Sequence, residues 1–102
     1  MKIEWTRSAL SDARNLRNYI AQDSEAYADR FVQRIIEAVE KAATFPLSGR
    51  RVPEADDDAI REILFRKYRI MYRVEPARIL VLTVIHGARD LTQVTPGPWE
   101  IE

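Results

Sequence analysis

A chain of 102 residues carrying 16 Lys+Arg and 16 Asp+Glu is formally neutral, which excludes a protein that coats nucleic acid by bulk charge and leaves room for one small core. With no cysteine there is no disulfide framework, no thiolate nucleophile and no Cys-based metal site. Neither a signal-like run after Met1-Lys2 nor a stretch of about eighteen apolar residues occurs, so the expectation is one cytoplasmic domain over 1–102 with no membrane association.

Ile3 and Trp5 alternate with Lys2 and Glu4, the period of a short strand with one buried face. Thr6 or Ser8 can cap a helix that lines up Ala9, Ala13, Leu16 and Ile20. Asp23-Ser24 breaks that helix and caps the next, which carries Ala28, Phe31, Val32, Ile35, Val39 and Ala42 at helical spacing. The second helix is predicted to end near Phe45, because the residue before Pro46 is pushed out of helical geometry. Pro46 to Asp58 has the punctuation of a loop.

Three strands are predicted after the loop: Ala59 to Phe65, Tyr68 to Val74, and Ile79 to Ile85, joined by Arg66-Lys67 and Pro76-Ala77. The middle strand puts Tyr68, Ile70, Tyr72 and Val74 on one face and Arg69, Met71 and Arg73 on the other. The last is apolar almost throughout, as a strand buried on both faces requires. The order β-α-α-β-β-β predicts an α+β fold, a helical hairpin packed on one face of an antiparallel sheet whose other face is open. The tail Thr92 to Glu102 is expected to be irregular.

Charge is unevenly spread. Between Ala59 and Arg89 lie seven cations (Arg61, Arg66, Lys67, Arg69, Arg73, Arg78, Arg89) against Glu62 and Glu75, which leaves +5 on the strand-rich segment. Arg61, Arg69, Arg73 and Arg89 are therefore the candidate partner-binding residues, and Arg69→Ala and Arg89→Ala are expected to leave the fold intact. Each has a plainer reading. Arg61 can pair with a loop carboxylate, and Arg69 facing the acidic loop makes a structural ion pair. Lone His86 before Gly87 suits a strand end, and Tyr68 and Tyr72 suit the core. Asp56-Asp57-Asp58 is read as a solvated run, so neither a metal nor a cofactor is expected.

The order and spacing of GRRVPE (Gly49 to Glu54), Arg61-Glu62, YRIMYRV (Tyr68 to Val74) and HGAR (His86 to Arg89) resemble the ParE branch of the RelE/ParE superfamily, over nearly the whole chain. The resemblance implies a toxin that acts on DNA gyrase without catalysis of its own. It also implies a ParD-like antitoxin as partner, with operator DNA contacted only through that antitoxin. RelE-type relatives instead cut messenger RNA on the ribosome, which needs a base for the 2′-hydroxyl, cations for the phosphorane and an acid for the leaving oxygen. For that alternative the matching residues are Arg69 and Arg89, with His86 and Arg61 in support. The tyrosine expected beyond Arg89 is missing, since Leu91 to Pro98 contains neither Tyr nor His.

Overall fold

Thr6 is where the first strand becomes a helix. Its hydroxyl accepts from the Ala9 amide at 3.0 Å and donates to the Leu82 carbonyl at 3.2 Å, so one side chain caps a helix and ties it to the sheet. The computed structural model describes residues 1–89, 91 and 96–100. In it β1 (Lys2–Trp5) leads into α1 (Arg7–Ala21) and then α2 (Glu25–Thr44). Ser24 caps α2 by accepting from the Tyr27 amide at 3.1 Å, and the helix stops at Phe45, before Pro46. A 3₁₀ turn follows at Pro46–Ser48, then β2 (Arg50–Arg51), β3 (Ile60–Phe65), β4 (Tyr68–Val74) and β5 (Arg78–His86).

The sheet has five strands in the order β1-β5-β4-β3-β2. Its strand pairing departs from the sequence reading in two ways. The sheet is antiparallel except at β1, which pairs parallel to β5 with Ile3 opposite Ile79. A parallel neighbour needs a long connection, and here it runs through the helical hairpin and then β2, β3 and β4. The predicted loop also contains β2, a two-residue strand that pairs Arg50 with Glu62 and Arg51 with Arg61.

The helices cover one face. Phe31, Ile35, Val39 and Ala42 of α2 pack with Tyr68, Ile70, Tyr72, Ile79, Val81 and Val84 of the sheet. The other face is not open, contrary to expectation. Val52, Ile60, Met71, Leu80, Leu82, Ile85 and Leu91 form a second core, with Ala55 and Trp99 packed against it. An apolar strand such as β5 needs cover on both sides, and a single helical layer leaves Leu80, Leu82 and Ile85 to be covered by loops. Of the tail expected to be irregular, Pro98–Glu100 forms a 3₁₀ turn, while residues 92–95, 101 and 102 lie outside the described residues.

A bulge interrupts β5. Met71 pairs with Thr83 and Tyr72 with Val81, which leaves Leu82 without an opposite residue. After it Val84 lies in the helix-side core and Ile85 in the other one. Asp12 of α1 accepts from the Thr83 hydroxyl and from the Val84 amide, which fixes α1 against the strand.

Candidate functional site and family

Gly49 opens the loop that carries the GRRVPE motif, and it sits where no side chain fits. A Cβ there would fall on the Tyr72 hydroxyl and 2.8 Å from the Glu62 carbonyl oxygen. The Gly49 amide instead donates to the Tyr72 hydroxyl at 3.2 Å, and that hydroxyl donates to the Pro46 carbonyl at 2.7 Å. Burial holds the Tyr72 phenol above its ordinary pKa, so it remains a donor. The core reading of Tyr72 thus holds, with its polar end anchoring the loop.

Four charges then alternate along one line. Arg50 Nε donates to Glu62, whose side chain is 0% exposed. Glu62 Oε1 accepts from Arg69 Nε at 2.7 Å. The two terminal nitrogens of Arg69 grip Glu54 at 2.9 and 2.8 Å. The fork geometry gives Glu54 a bidentate partner. Glu54 is the largest cause raising the Arg69 pKa, burial opposes it, and Glu62 adds to the rise. The same contact holds the Glu54 carboxyl below the usual carboxylate range.

Arg69 is therefore not a surface cation, which removes the premise on which its removal was expected to leave the fold intact. Its side chain is 8% exposed, and the whole fork is committed to Glu62 and Glu54. Two other candidates also hold loops. Arg61 donates to the carbonyls of Asp58 at 2.8 Å and Gly49 at 3.3 Å, which closes the ends of the loop between β2 and β3. Arg73 donates to the Trp99 carbonyl and lies 3.5 Å from Glu75. The acidic run is partly paired: Asp58 meets Arg51 at 2.8 Å, and Asp57 accepts from the Ala59 amide.

Arg89 and His86 stand apart. Both are exposed, just beyond and at the end of β5. His86 Nδ1 accepts from the Ala88 amide at 3.1 Å, which puts the neutral ring's proton on Nε2, and its ring meets Tyr68 edge-on at 5.7 Å. Among the described residues no hydrogen bond or ion pair joins Arg61, Arg69, His86 and Arg89. The acids that complete the site, Glu54 and Glu62, were missed as its members. The signal was present: Glu62 has the parity of Ile60, opposite Ile63 and Phe65, so it faces the same side as Arg69.

Comparison with known proteins places the chain in a family. Residues 3–91 match the family described as ParE toxin of type II toxin-antitoxin system, parDE. The protein Y4kP of Sinorhizobium fredii is 34% identical over 95 residues, covering 91% of this chain and 95% of that one. Toxin RelE2 of Caulobacter vibrioides is 30% identical, over 86% of this chain and 97% of its own. A solved structure from the chromosomal ParDE system of P. aeruginosa superposes with a TM-score of 0.68 at 23% identity, over 84% of this chain and 95% of that one. A family match over residues 3–91 and relatives of 34% and 30% identity over most of both chains lead to one assignment: the chain belongs to the ParE toxin family of type II toxin–antitoxin systems.

Proposed function

We propose that this toxin acts on DNA gyrase as a binding protein and blocks replication, leaving phosphodiester chemistry to its target. The observation that carries the reading is the occupancy of Arg69. A nuclease of the RelE type needs that arginine free for the scissile phosphate, whereas here two carboxylates take up its donors. A phosphate approaching it would also meet the negative charge of Glu54. Arg89 alone supplies too little. Loss of a single proton-transfer group costs about 10²–10⁴ in rate, and this chain lacks the tyrosine as well.

A ParD-like antitoxin is the proposed partner, with operator DNA reached only through it. The free edge of β3 favours an extended antitoxin segment. β2 pairs only Arg61 and Glu62, so Ile63–Phe65 has no outer neighbour among the described residues. A groove of about 510 Å³ runs along that edge beside Ala38 and Lys41 of α2, and the side chain of Leu64 is largely exposed there. In this reading residues 1–102 act as one domain in the cytoplasm, where gyrase works. No helix is long and apolar enough to cross a membrane among the described residues.

Two reactions test the reading. Purified toxin added to gyrase with ATP and plasmid is expected to raise the fraction of cleaved DNA, and a programmed ribosome is expected to keep its messenger intact. The likeness to toxin RelE2 gives the second arm its weight. Site-specific messenger cleavage that vanishes in Arg89→Ala, with gyrase unaffected, would replace this reading by a ribosome-dependent ribonuclease.

A further inference from the structure

We propose that the corner between α2 and the β3–β4 turn binds single-stranded nucleic acid, stacking bases on exposed tyrosines and holding phosphates with cations that meet no carboxylate among the described residues. The corner is not used by the gyrase reading, and the inference stands without it.

Two grooves adjoin there and share Tyr27, Phe31 and Arg66. The larger, about 710 Å³, lies between the α1–α2 connection and the β3–β4 turn. Tyr27, Arg30, Phe31 and Arg34 recur at helical spacing, so α2 presents them as one stripe. Phe31 is buried and forms the floor; Tyr27, Arg30 and Arg34 are exposed. Arg66 and Lys67 face them from the turn, both exposed. Arg66 holds φ at 52° in a two-residue hairpin turn, a place where glycine or asparagine is favoured and arginine is not.

The charge of this corner is hidden by the neutral composition. Arg17, Arg50, Arg51, Arg69 and Arg78 each meet a carboxylate. Arg30, Arg34, Arg66 and Lys67 make no ion pair among the described residues, and Asp23 is the one carboxylate that lines either groove. Two of the four lie on rings instead: Arg30 is 5.9 Å from the Tyr27 centroid and Arg66 is 5.7 Å from that of Phe65. Tyr19 is 69% exposed and Tyr27 39%, and both line the larger groove.

A solitary exposed tyrosine calls for no explanation. Two tyrosines beside four cations that meet no carboxylate among the described residues supply both elements of strand binding, aromatic platforms for bases and a positive track for the backbone. An acidic peptide could use the cations equally well, so the tyrosines decide between the two.

The test is fluorescence anisotropy with the full chain and labelled oligomers of about twelve nucleotides, thymidine DNA and uridine RNA. Both are expected to bind, because every base offers a π face, and binding of one alone would assign the class of strand. Each neutralised phosphate contributes about −0.7 to the log–log salt slope, so three or four give about −2 to −3. Arg34→Glu with Arg66→Glu is expected to weaken binding more than about tenfold, and Tyr27→Ser about tenfold with charge unchanged. Arg14→Glu, an exposed cation outside the corner, is expected to change nothing, and thermal melts check that every variant folds. No binding of either oligomer, affinity indifferent to Tyr27→Ser, or equally tight binding of polyglutamate would overturn the proposal; the last would assign the corner to an acidic peptide.

Discussion

Arg69→Ala is expected to lower the unfolding free energy by about 3–5 kcal/mol, because it strands the fully buried Glu62 carboxylate and releases Glu54 from the loop. A domain of this size has about 5–15 kcal/mol in total, so the loss is a large fraction of the margin. Arg50 remains on Glu62, but its own side chain is 53% exposed and is screened by water. Replacing the pair together, Arg69→Met with Glu62→Leu, is expected to recover most of the loss, since apolar substitutes of similar volume often match a buried ion pair. Arg89→Ala, exposed and outside the network, is expected to stay within about 0.5 kcal/mol of the parent. Urea unfolding of the three proteins decides the matter. A loss in Arg69→Ala no larger than in Arg89→Ala would show that the network contributes little.

The same network sets a pH dependence. The Arg69 guanidinium holds the Glu54 carboxyl below the usual carboxylate range. A depressed carboxylate contributes stability that is fully present above the unfolded-state value and is lost as pH falls through the folded one. Stability is therefore expected to hold above about pH 5 and to decline in acid. Glu54→Gln is expected to flatten that decline, leaving the part due to Glu4 and Glu75, whose carboxyls are lowered by Lys2 and Arg78 and by Arg78 respectively. An acid limb of unchanged steepness in Glu54→Gln would exclude the pair as its source.

Why the helices and strands were legible and the Arg69 network was not follows from how far each signal reaches along the chain. Helix ends depend on neighbours: Thr6 and Ser24 cap within three residues, and Pro46 acts on Phe45. The faces of β4 follow from alternation, which put Tyr68, Ile70 and Tyr72 against the helices. Alternation in β1 carries no direction, so its parallel pairing with β5 depended on a partner more than seventy residues away. β2 is held by cross-strand partners, with too few residues for any period. The seven cations of the strand-rich segment suggested a binding face, yet charge counting ignores where a carboxylate from outside the segment lands. Glu54 lies outside the counted span and takes the end of the Arg69 fork. Arg61 and Arg73 were likewise counted as available, and their donors hold the Gly49, Asp58 and Trp99 carbonyls. Only Arg89 among those four candidates is exposed.

Phe31→Ala is the substitution whose cost the sequence already announced, and its effect is expected to match that of Arg69→Ala. Phe31 is 4% exposed at the junction of α2 with the β3–β4 hairpin. Its ring lies 5.7 Å from that of Phe65 and 5.1 Å, edge-on, from that of Tyr68. Truncation removes apolar area, leaves a cavity between helix and sheet, and deletes two aromatic pairs, for about 3–5 kcal/mol together. Phe31→Leu keeps most of the volume and is expected to lose clearly less than the alanine variant. In a domain of about 100 residues, 1 kcal/mol moves the melting point by about 4–8 °C, so the alanine variant is expected to melt at least about 12 °C lower. The two substitutions also separate the layers. Arg69→Ala loosens the loop face and leaves the α2 stripe in place, whereas Phe31→Ala removes the floor beneath Tyr27 and Arg66. Oligonucleotide binding is therefore expected to survive in any Arg69→Ala protein that remains folded and to weaken in Phe31→Ala at temperatures where it is still native; the reverse pattern would place the strand on the loop face.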